Sequence, residues 1–270
     1  VGHLLADDKS LATLPVTFFV LGTLATTIPA SMFMRRYGRR TGFRLGTALG
    51  LCSTLLAIYA IFTLEFWLFC FALFASGGYQ AFAQYYRFAA ADTASPAFRP
   101  TAISWVLAGG LVAAIAGPQL VIYTKALFAP VMYAGSFAAS SCASLLAFAI
   151  LGLLDIPRQP ETGEDGSRPR PLPEILKQRK LRIAILSGMA TYASMSFVMT
   201  ATPLAMVACN HSVDSAALAI QWHVLAMYGP SFITGRLITW FGAGRVVATG
   251  LALIGTSAAV GLGGVEVWHF

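Results

Sequence analysis

Along this chain, apolar and polar positions fall in long blocks, not in the short periods of a soluble fold. Eight stretches contain no Asp, Glu, Lys or Arg: 11–33, 45–64, 66–86, 100–124, 126–154, 183–208, 215–235 and 246–265. A helix that crosses the hydrocarbon core needs about 20 predominantly apolar residues. Each block therefore predicts one transmembrane helix, and the polar blocks between them predict the loops. Pro29, Pro118, Pro203 and Pro230 lie inside these blocks. In a membrane, neighbouring helices re-satisfy the backbone groups that proline frees, so they do not shorten the predicted helices.

Composition supports a bilayer as the solvent. Hydrophobic residues make up 57% of the 270 and charged residues 11%, against roughly 45–50% and about 25% for a soluble domain. A net charge of +7 raises the question of nucleic acid, and the location of the charge answers it. With eight crossings, both ends lie on one side and the loops 34–44, 87–99, 155–182 and 236–245 lie on the other. Those four loops hold 16 of the 18 Lys and Arg; only Lys9 and Lys125 lie opposite. Short loops rich in Lys and Arg stay cytoplasmic. Both ends should therefore face outward, with the 155–182 segment in the cytoplasm. The basicity is a topology signal, and no nucleic-acid partner is expected. The five arginines of "MRRYGRRTGFR" (34–44) act first as an anchor.

Cys52, Cys70, Cys142 and Cys209 are scattered without ligand spacing, and His3, His211, His223 and His269 never pair at ligand spacing. No metal or cofactor is expected. The four thiols read as small apolar core residues.

The one sizeable polar stretch, "DIPRQPETGEDGSRPRPLPEILKQRK" (155–180), has the Pro, Gly and charge of a linker. It divides five predicted spans (1–154) from three (183–270). In "PEILKQRKLRIAIL", Ile175, Leu176 and Leu181 stand among basic residues, as in a helix lying on the inner membrane surface; a solvated linker is the other reading. The first span ends in "SMFMRRYGRR" and the seventh in "GRLITWFGAGR", with Gly38 and Gly242 each following an aromatic residue. That is an internal repeat with a period of six spans. Two parallel six-helix halves would make these spans helices two to nine of twelve. With no cleavable signal pattern and Val at position 1, the chain reads as part of a longer one.

Ser31 to Arg40 resembles the signature G-x-x-x-D-[RK]-x-G-[RK]-[RK] of the major facilitator superfamily of secondary transporters, matching at Arg36, Gly38, Arg39 and Arg40. Ser31 stands for the family glycine and Arg35 for its aspartate. In the second half Gly235 and Gly242 fit, and Thr239 takes the aspartate position. "SWVLAGGLVAAIAGPQL" is similar to the family's antiporter motif at Gly117 and Pro118, with Val121 and Ile122 where two glycines should follow. The arginine that drug and proton antiporters carry in the fourth helix is replaced by Leu73 or Phe74. "VMTATPLAM" (198–206) and "IQWHVLAMYGPSFITGRLI" (220–238) resemble a little-characterised group of bacterial permeases. The resemblance implies an all-α membrane protein with two pseudo-symmetric six-helix bundles, of which about eight helices are present. It also implies a monomer in the inner membrane of a bacterium. Arg36, Gly38, Arg39, Arg40, Gly117, Pro118, Gly235 and Gly242 would then act in gating. "RFAAADTASPAFR" (87–99) resembles the superfamily loop after the fourth helix, and Arg87, Asp92 and Arg99 would pair there; a solvated loop is the alternative.

Polar residues inside spans are costly and point to function. Gln80, Gln84 and Arg87 fall at i, i+4 and i+7 on one helix face, with Tyr79, Tyr85 and Tyr86 beside them. Amides and phenols suit a planar, uncharged or weakly acidic solute; polar bonding between helices is the other reading. His223 is the one ionisable residue well inside a span, close to Gln221, Met227 and Tyr228. Histidine changes charge near neutral pH, which suits proton coupling or ligand contact; a structural role is the other reading. Ser194, Ser196, Thr200 and Thr202 precede Pro203, and back-bonding to their own helix is the commoner use of such hydroxyls. In the family's fold, Tyr79, Gln80 and Gln84 would be central, with Gln221, His223 and Thr200 completing a solute site.

The functional expectation is a secondary active transporter that moves a small organic solute by alternating access, with protons as the candidate coupling ion. An uptake permease leads, and a drug/proton antiporter is the runner-up within transport. An intramembrane enzyme would need a metal cluster or an activated nucleophile, and the chain has neither H-E-x-x-H nor G-x-S-x-G. A non-transporting receptor on a transporter fold is a third reading. The topology is testable: in a cysteine-free background, Ser167→Cys should resist an impermeant thiol reagent added to intact cells and react after lysis. Labelling before lysis would reverse the orientation.

Overall fold

In the computed structural model, which describes residues 1–95, 98–154, 156 and 172–269, the backbone is helices joined by turns, and no strand occurs among those residues. The helices are α1 (Gly2–Leu5), α2 (Leu14–Tyr37), α3 (Arg39–Phe62), α4 (Phe66–Ala83), α5 (Tyr86–Thr93), α6 (Arg99–Thr124), α7 (Ala134–Leu153), α8 (Leu172–Leu176), α9 (Arg179–Ala208), α10 (Val213–Tyr228), α11 (Ser231–Phe241) and α12 (Ala243–Gly261). Of the expected linker, residues 155 and 157–171 lie outside the described residues, as do Pro96 and Ala97 of the 87–99 loop.

Seven helical segments among the described residues are long and apolar enough to cross a membrane, where the sequence predicts eight. The difference lies in the 215–235 stretch, which is divided into α10 and α11. Proline offers no backbone N–H and its ring displaces the preceding turn, and the division falls at Gly229–Pro230. Pro29, Pro118 and Pro203, by contrast, lie inside unbroken helices. The 126–154 stretch becomes helical only from Ala134, after a series of turns. At the polar end of the 183–208 stretch, α9 starts earlier than expected, at Arg179, so the basic residues of "LKQRKLR" form its first turn and the approach to it.

The repeat anticipated at Gly38 and Gly242 has a shared backbone form. Gly38 has φ 88° and ψ 155°, and Gly242 has φ 81° and ψ 150°. This region is essentially confined to glycine. Each N–H closes the preceding helix, onto Met34 and Ile238 respectively. Each carbonyl accepts the first bond of the next helix, from Gly42 and Val246. One residue thus ends a helix and starts another, which is why α2 runs on through Arg35 and Arg36 to Tyr37.

Packing in the first 154 residues depends on close approach of small residues. A Cβ added at Gly22 of α2 would lie 2.0 Å from the Phe74 carbonyl oxygen of α4, and one at Gly77 would lie 2.0 Å from the Phe19 oxygen. The Thr23 hydroxyl bridges the same contact, donating to the carbonyls of Phe19 (3.0 Å) and Gly77 (3.1 Å). On the other side of α4, Phe82 packs on Gly46 and Tyr79 on Gly50 of α3. Ser53 and Ser76 hydroxyls meet at 2.7 Å. Ser141 of α7 donates to Thr54 of α3 at 2.8 Å. Without a hydrophobic driving force between helices in lipid, such contacts are what hold them together.

Overpacking typically costs about 1–3 kcal/mol. With a backbone oxygen as the obstacle, Gly77→Val should lie at or beyond the upper end and lower the thermal unfolding temperature of the purified protein. Gly250→Val, where a Cβ meets nothing within 4 Å, should leave it nearly unchanged. Equal behaviour of the two would show that α2 and α4 are not held by this approach.

Candidate functional site

The α4 helix sorts its residues onto three faces. Phe74, Gly77 and Gly78 meet α2 or the residues beside it, and the Tyr85 hydroxyl, just past the helix end, donates to the Thr27 carbonyl of α2 at 3.0 Å. Tyr79 and Phe82 meet α3, and the Tyr86 ring stands edge-on to Phe43 of α3 with centroids 4.7 Å apart. At about 100° per residue, Leu73, Gln80 and Gln84 form a third stripe only about 20–60° round the helix from Gly77, so it borders the α2 contact. Both glutamines are half-buried, and neither side chain bonds another described residue. Tyr79 is separated from them by its packing on Gly50. The Tyr86 hydroxyl is buried and meets no hydrogen-bond partner, although the Tyr79 phenol is near enough for the two to interact.

The second group of expected site residues lies on α9 and α10. The Thr200 hydroxyl donates to the Ser196 carbonyl at 2.8 Å, and Ser194 donates to Ala190 at 3.0 Å, so both back-bond as hydroxyls in helices commonly do. The Gln221 carbonyl oxygen accepts from the Gln119 amide of α6 at 2.9 Å. His223 is half-buried and, two residues further, lies about 200° round the same helix. The structure therefore turns Gln221 toward α6 and His223 away from it.

Sequence reasoning missed that Gln119–Gln221 belongs to a seam. Asp214, Gln221 and Tyr228 recur every seven residues, two turns, along one side of α10. They meet α6 at Lys125, which forms an ion pair with Asp214, at Gln119, and at Gly110, where a Cβ would lie 3.1 Å from the Tyr228 ring. The seam joins the residues before the linker to those after it. It begins at the end of α6 opposite the basic loops and runs to Tyr228, just before the Gly229–Pro230 division.

Lys125 carried a signal in the sequence, being one of two lysines on the side that the basic partition leaves almost empty. The other, Lys9, donates its ammonium to the carbonyls of His3 (2.9 Å) and Ala6 (2.7 Å). Both exceptions are thus held by specific partners.

At the basic end, Asp92 pairs with Arg39 instead of with Arg87 or Arg99. Arg87 and Asp92 are five residues apart on α5, about 140° apart around it, so they cannot share a partner-facing side. Arg87 lies 5.1 Å from the Phe88 ring centroid and Arg36 5.4 Å from that of Tyr37. Arg40 donates to the Gly152 carbonyl at the end of α7. Arg99 is exposed at the start of α6. Within α6, Gly117 faces open space and Pro118 sits inside an unbroken helix. Gly235 lies in α11, one helix before Gly242. The described residues bring no three of His, Cys, Asp and Glu together as a metal site would require.

The sequence profile of the Major Facilitator Superfamily matches residues 3–269, essentially the whole of this helical arrangement. The chain belongs to the Major Facilitator Superfamily. It is 47% identical over 273 aligned residues to the riboflavin transporter RfnT of Brucella anthropi, covering 100% of this chain and 68% of that protein. It is 28% identical to two uncharacterised MFS-type transporters of Bacillus subtilis, YdeG and YddS, covering 94% of this chain and 63% of each of them. No solved structure matches it. The chain is thus an all-α, multi-pass membrane protein of a transporter family, and it spans about two thirds of the length of these relatives.

The seam yields a test of its own. Removing one partner of a buried hydrogen bond leaves the other unsatisfied at about 1–3 kcal/mol, whereas replacing both by apolar groups is nearly neutral. Gln221→Leu should therefore destabilise the full-length protein more than Gln119→Leu and Gln221→Leu together, as read by thermal unfolding. If the single variant is as stable as the double, the two amides do not pair.

Proposed function

We propose that the full-length protein is a secondary transporter that takes up riboflavin across the cytoplasmic membrane. The observation that carries this reading is the 47% identity, along the whole chain, to a protein named as a riboflavin transporter. The residue chemistry agrees with it. Riboflavin combines a planar, uncharged ring system bearing an imide with a polyhydroxylated side chain. The two unpaired amides of Gln80 and Gln84 offer the paired donors and acceptors that an imide requires.

Residues 1–154 and 183–270 would be the two moving units, with the 155–182 linker in the cytoplasm. The α6–α10 seam closes the side away from the basic loops, so the arrangement corresponds to a solute path open toward the cytoplasm. Leu73 and Phe74, where proton-driven drug exporters have an arginine, favour uptake over drug/proton exchange. His223, which bonds no other described residue, is the candidate for any proton coupling. The unit proposed is a monomer.

The test is uptake of radiolabelled riboflavin by bacterial cells that cannot make it and that express the full-length protein, with and without an imposed proton gradient. Uptake is expected, and Gln80→Ala and Gln84→Ala should each raise the KM by about 2- to 10-fold, the scale of one lost hydrogen bond. His223→Gln should remove any acceleration by the gradient. A correctly inserted protein that accumulates no riboflavin would overturn the substrate. Uptake untouched by either glutamine variant would move the site elsewhere.

A further inference from the structure

The ends of α2, α3 and α7 near the basic loops line an open cavity of about 590 Å³, within the roughly 300–1,000 Å³ range of ligand pockets. One end of it is cationic. Arg40 and Arg44, four residues apart on α3, both line it, together with the Thr41 hydroxyl. Arg40 also holds the Gly152 carbonyl, and the Arg44 guanidinium carbon lies 4.8 Å from the Phe148 ring centroid. Neither arginine meets a carboxylate, since the ion pairs among the described residues are Arg39–Asp92 and Lys125–Asp214. The start of α3 adds to the positive field. Gly38 provides no side-chain cap, and the first ladder bond runs from Gly42 to Gly38. The amides of Arg40 and Thr41 therefore have no acceptor within the helix, at its positive dipole end.

The other end is apolar and faces the membrane. Phe33, Leu45 and Phe148 complete the wall, and Leu45 is 46% exposed. Beside it, Leu145, Leu146 and Ile150 on α7 are exposed as well. A soluble anion has no use for this wall, and an acyl chain alone has no use for two guanidinium groups without a carboxylate. A ligand that satisfies both ends carries a negative headgroup and hydrocarbon tails. A zwitterionic headgroup would set its own cation against the arginines.

We propose that this cavity binds an anionic glycerophospholipid of the inner leaflet, with its phosphate against Arg40 and Arg44 and its acyl chains along Leu45 and Phe148. Basic pockets between transmembrane helices on the cytoplasmic side are where such headgroups bind. The inference rests on the orientation given by the basic partition and is independent of riboflavin as substrate.

The test is native mass spectrometry of the full-length protein in detergent, titrated with phosphatidylglycerol or with phosphatidylcholine of the same chains. Phosphatidylglycerol should be retained over phosphatidylcholine by about tenfold or more, the scale set by two basic residues near a headgroup. The paired substitution Arg40→Gln with Arg44→Gln should abolish that preference. Arg36→Gln with Arg245→Gln, which removes the same charge elsewhere, should keep it. Glycerol 3-phosphate should not displace the lipid; displacement would assign the site to a soluble anion and overturn the proposal. So would equal retention of the two lipids, or equal loss in the control pair. A photoactivatable phosphatidylglycerol on the unsubstituted protein decides the matter if the paired variant does not fold. Adducts are expected within residues 33–48 and 145–152, and adducts confined elsewhere would overturn it.

Discussion

The arrangement depends first on the contact of α2 with α4, where two backbones approach until no side-chain carbon fits between them. Gly22 lies against the Phe74 carbonyl and Gly77 against that of Phe19, and the Thr23 hydroxyl joins both strands of the contact. In lipid, hydrocarbon is as good a solvent for leucine as another helix is, so association has to come from close packing and hydrogen bonds. Once α2 and α4 are locked, α4 has a fixed rotation about its axis. Its second face then takes α3, through Gly46 and Gly50, and the stripe of Leu73, Gln80 and Gln84 borders the α2 contact. The position of the candidate glutamines is thus a consequence of where the glycines are.

The same logic explains why a chain so poor in charge keeps polar groups inside its helices. Ser53 with Ser76, Ser141 with Thr54, and the back-bonded Thr47 and Thr200 are each satisfied by a neighbour or by their own helix. The amides of Gln80 and Gln84 are not. The Tyr86 hydroxyl and one Arg39 nitrogen are buried without a partner as well, but the half-buried glutamine amides keep access to a solute's own donors and acceptors.

Much of the fold was legible because membrane helices are written in block hydropathy, a signal that needs no knowledge of tertiary contacts. The correspondence of Gly38 and Gly242 was legible as a repeat, but 34–44 and 236–245 read as loops, and that a single glycine at φ near +85° joins two helices was not. Nor was the division of the seventh stretch. Pro230 divides its block, whereas Pro29, Pro118 and Pro203 sit inside unbroken helices; which of them breaks a helix depends on packing that composition does not record. Rotation about a helix axis was the other blind spot. Gln221 and His223 are close in sequence, yet two residues turn a helix by about 200°, so nearness in sequence opposes them in space. Tyr79 was read beside Gln80 for the same reason and is turned to Gly50. Lys125 was visible as an exception to the charge partition, and its partner Asp214 was invisible because a single carboxylate at a span boundary has no pattern to belong to.

The two kinds of contact differ in a way that matters for a transporter. Between α2 and α4 the helices meet backbone to backbone, and separating them would open voids that no side-chain movement fills. Between α6 and α10 they meet by side chains: one ion pair at the far end, one amide pair below it, and the Tyr228 ring on Gly110. A partly exposed ion pair is worth about 0–1 kcal/mol and a neutral hydrogen bond about 0.5–1.5 kcal/mol, so the polar part of the seam totals only a few kcal/mol. Each of these groups finds water when the seam opens, whereas the glycine contacts have no such substitute. Moving a population from one to ninety-nine to ninety-nine to one requires about 5.5 kcal/mol of differential binding, and a seam of this strength lies within that range. A tight glycine contact and a weak polar seam are the two kinds of interface that the proposed alternating access would need, and the choice of glycine between α2 and α4 and glutamine on α6 and α10 is what separates the two.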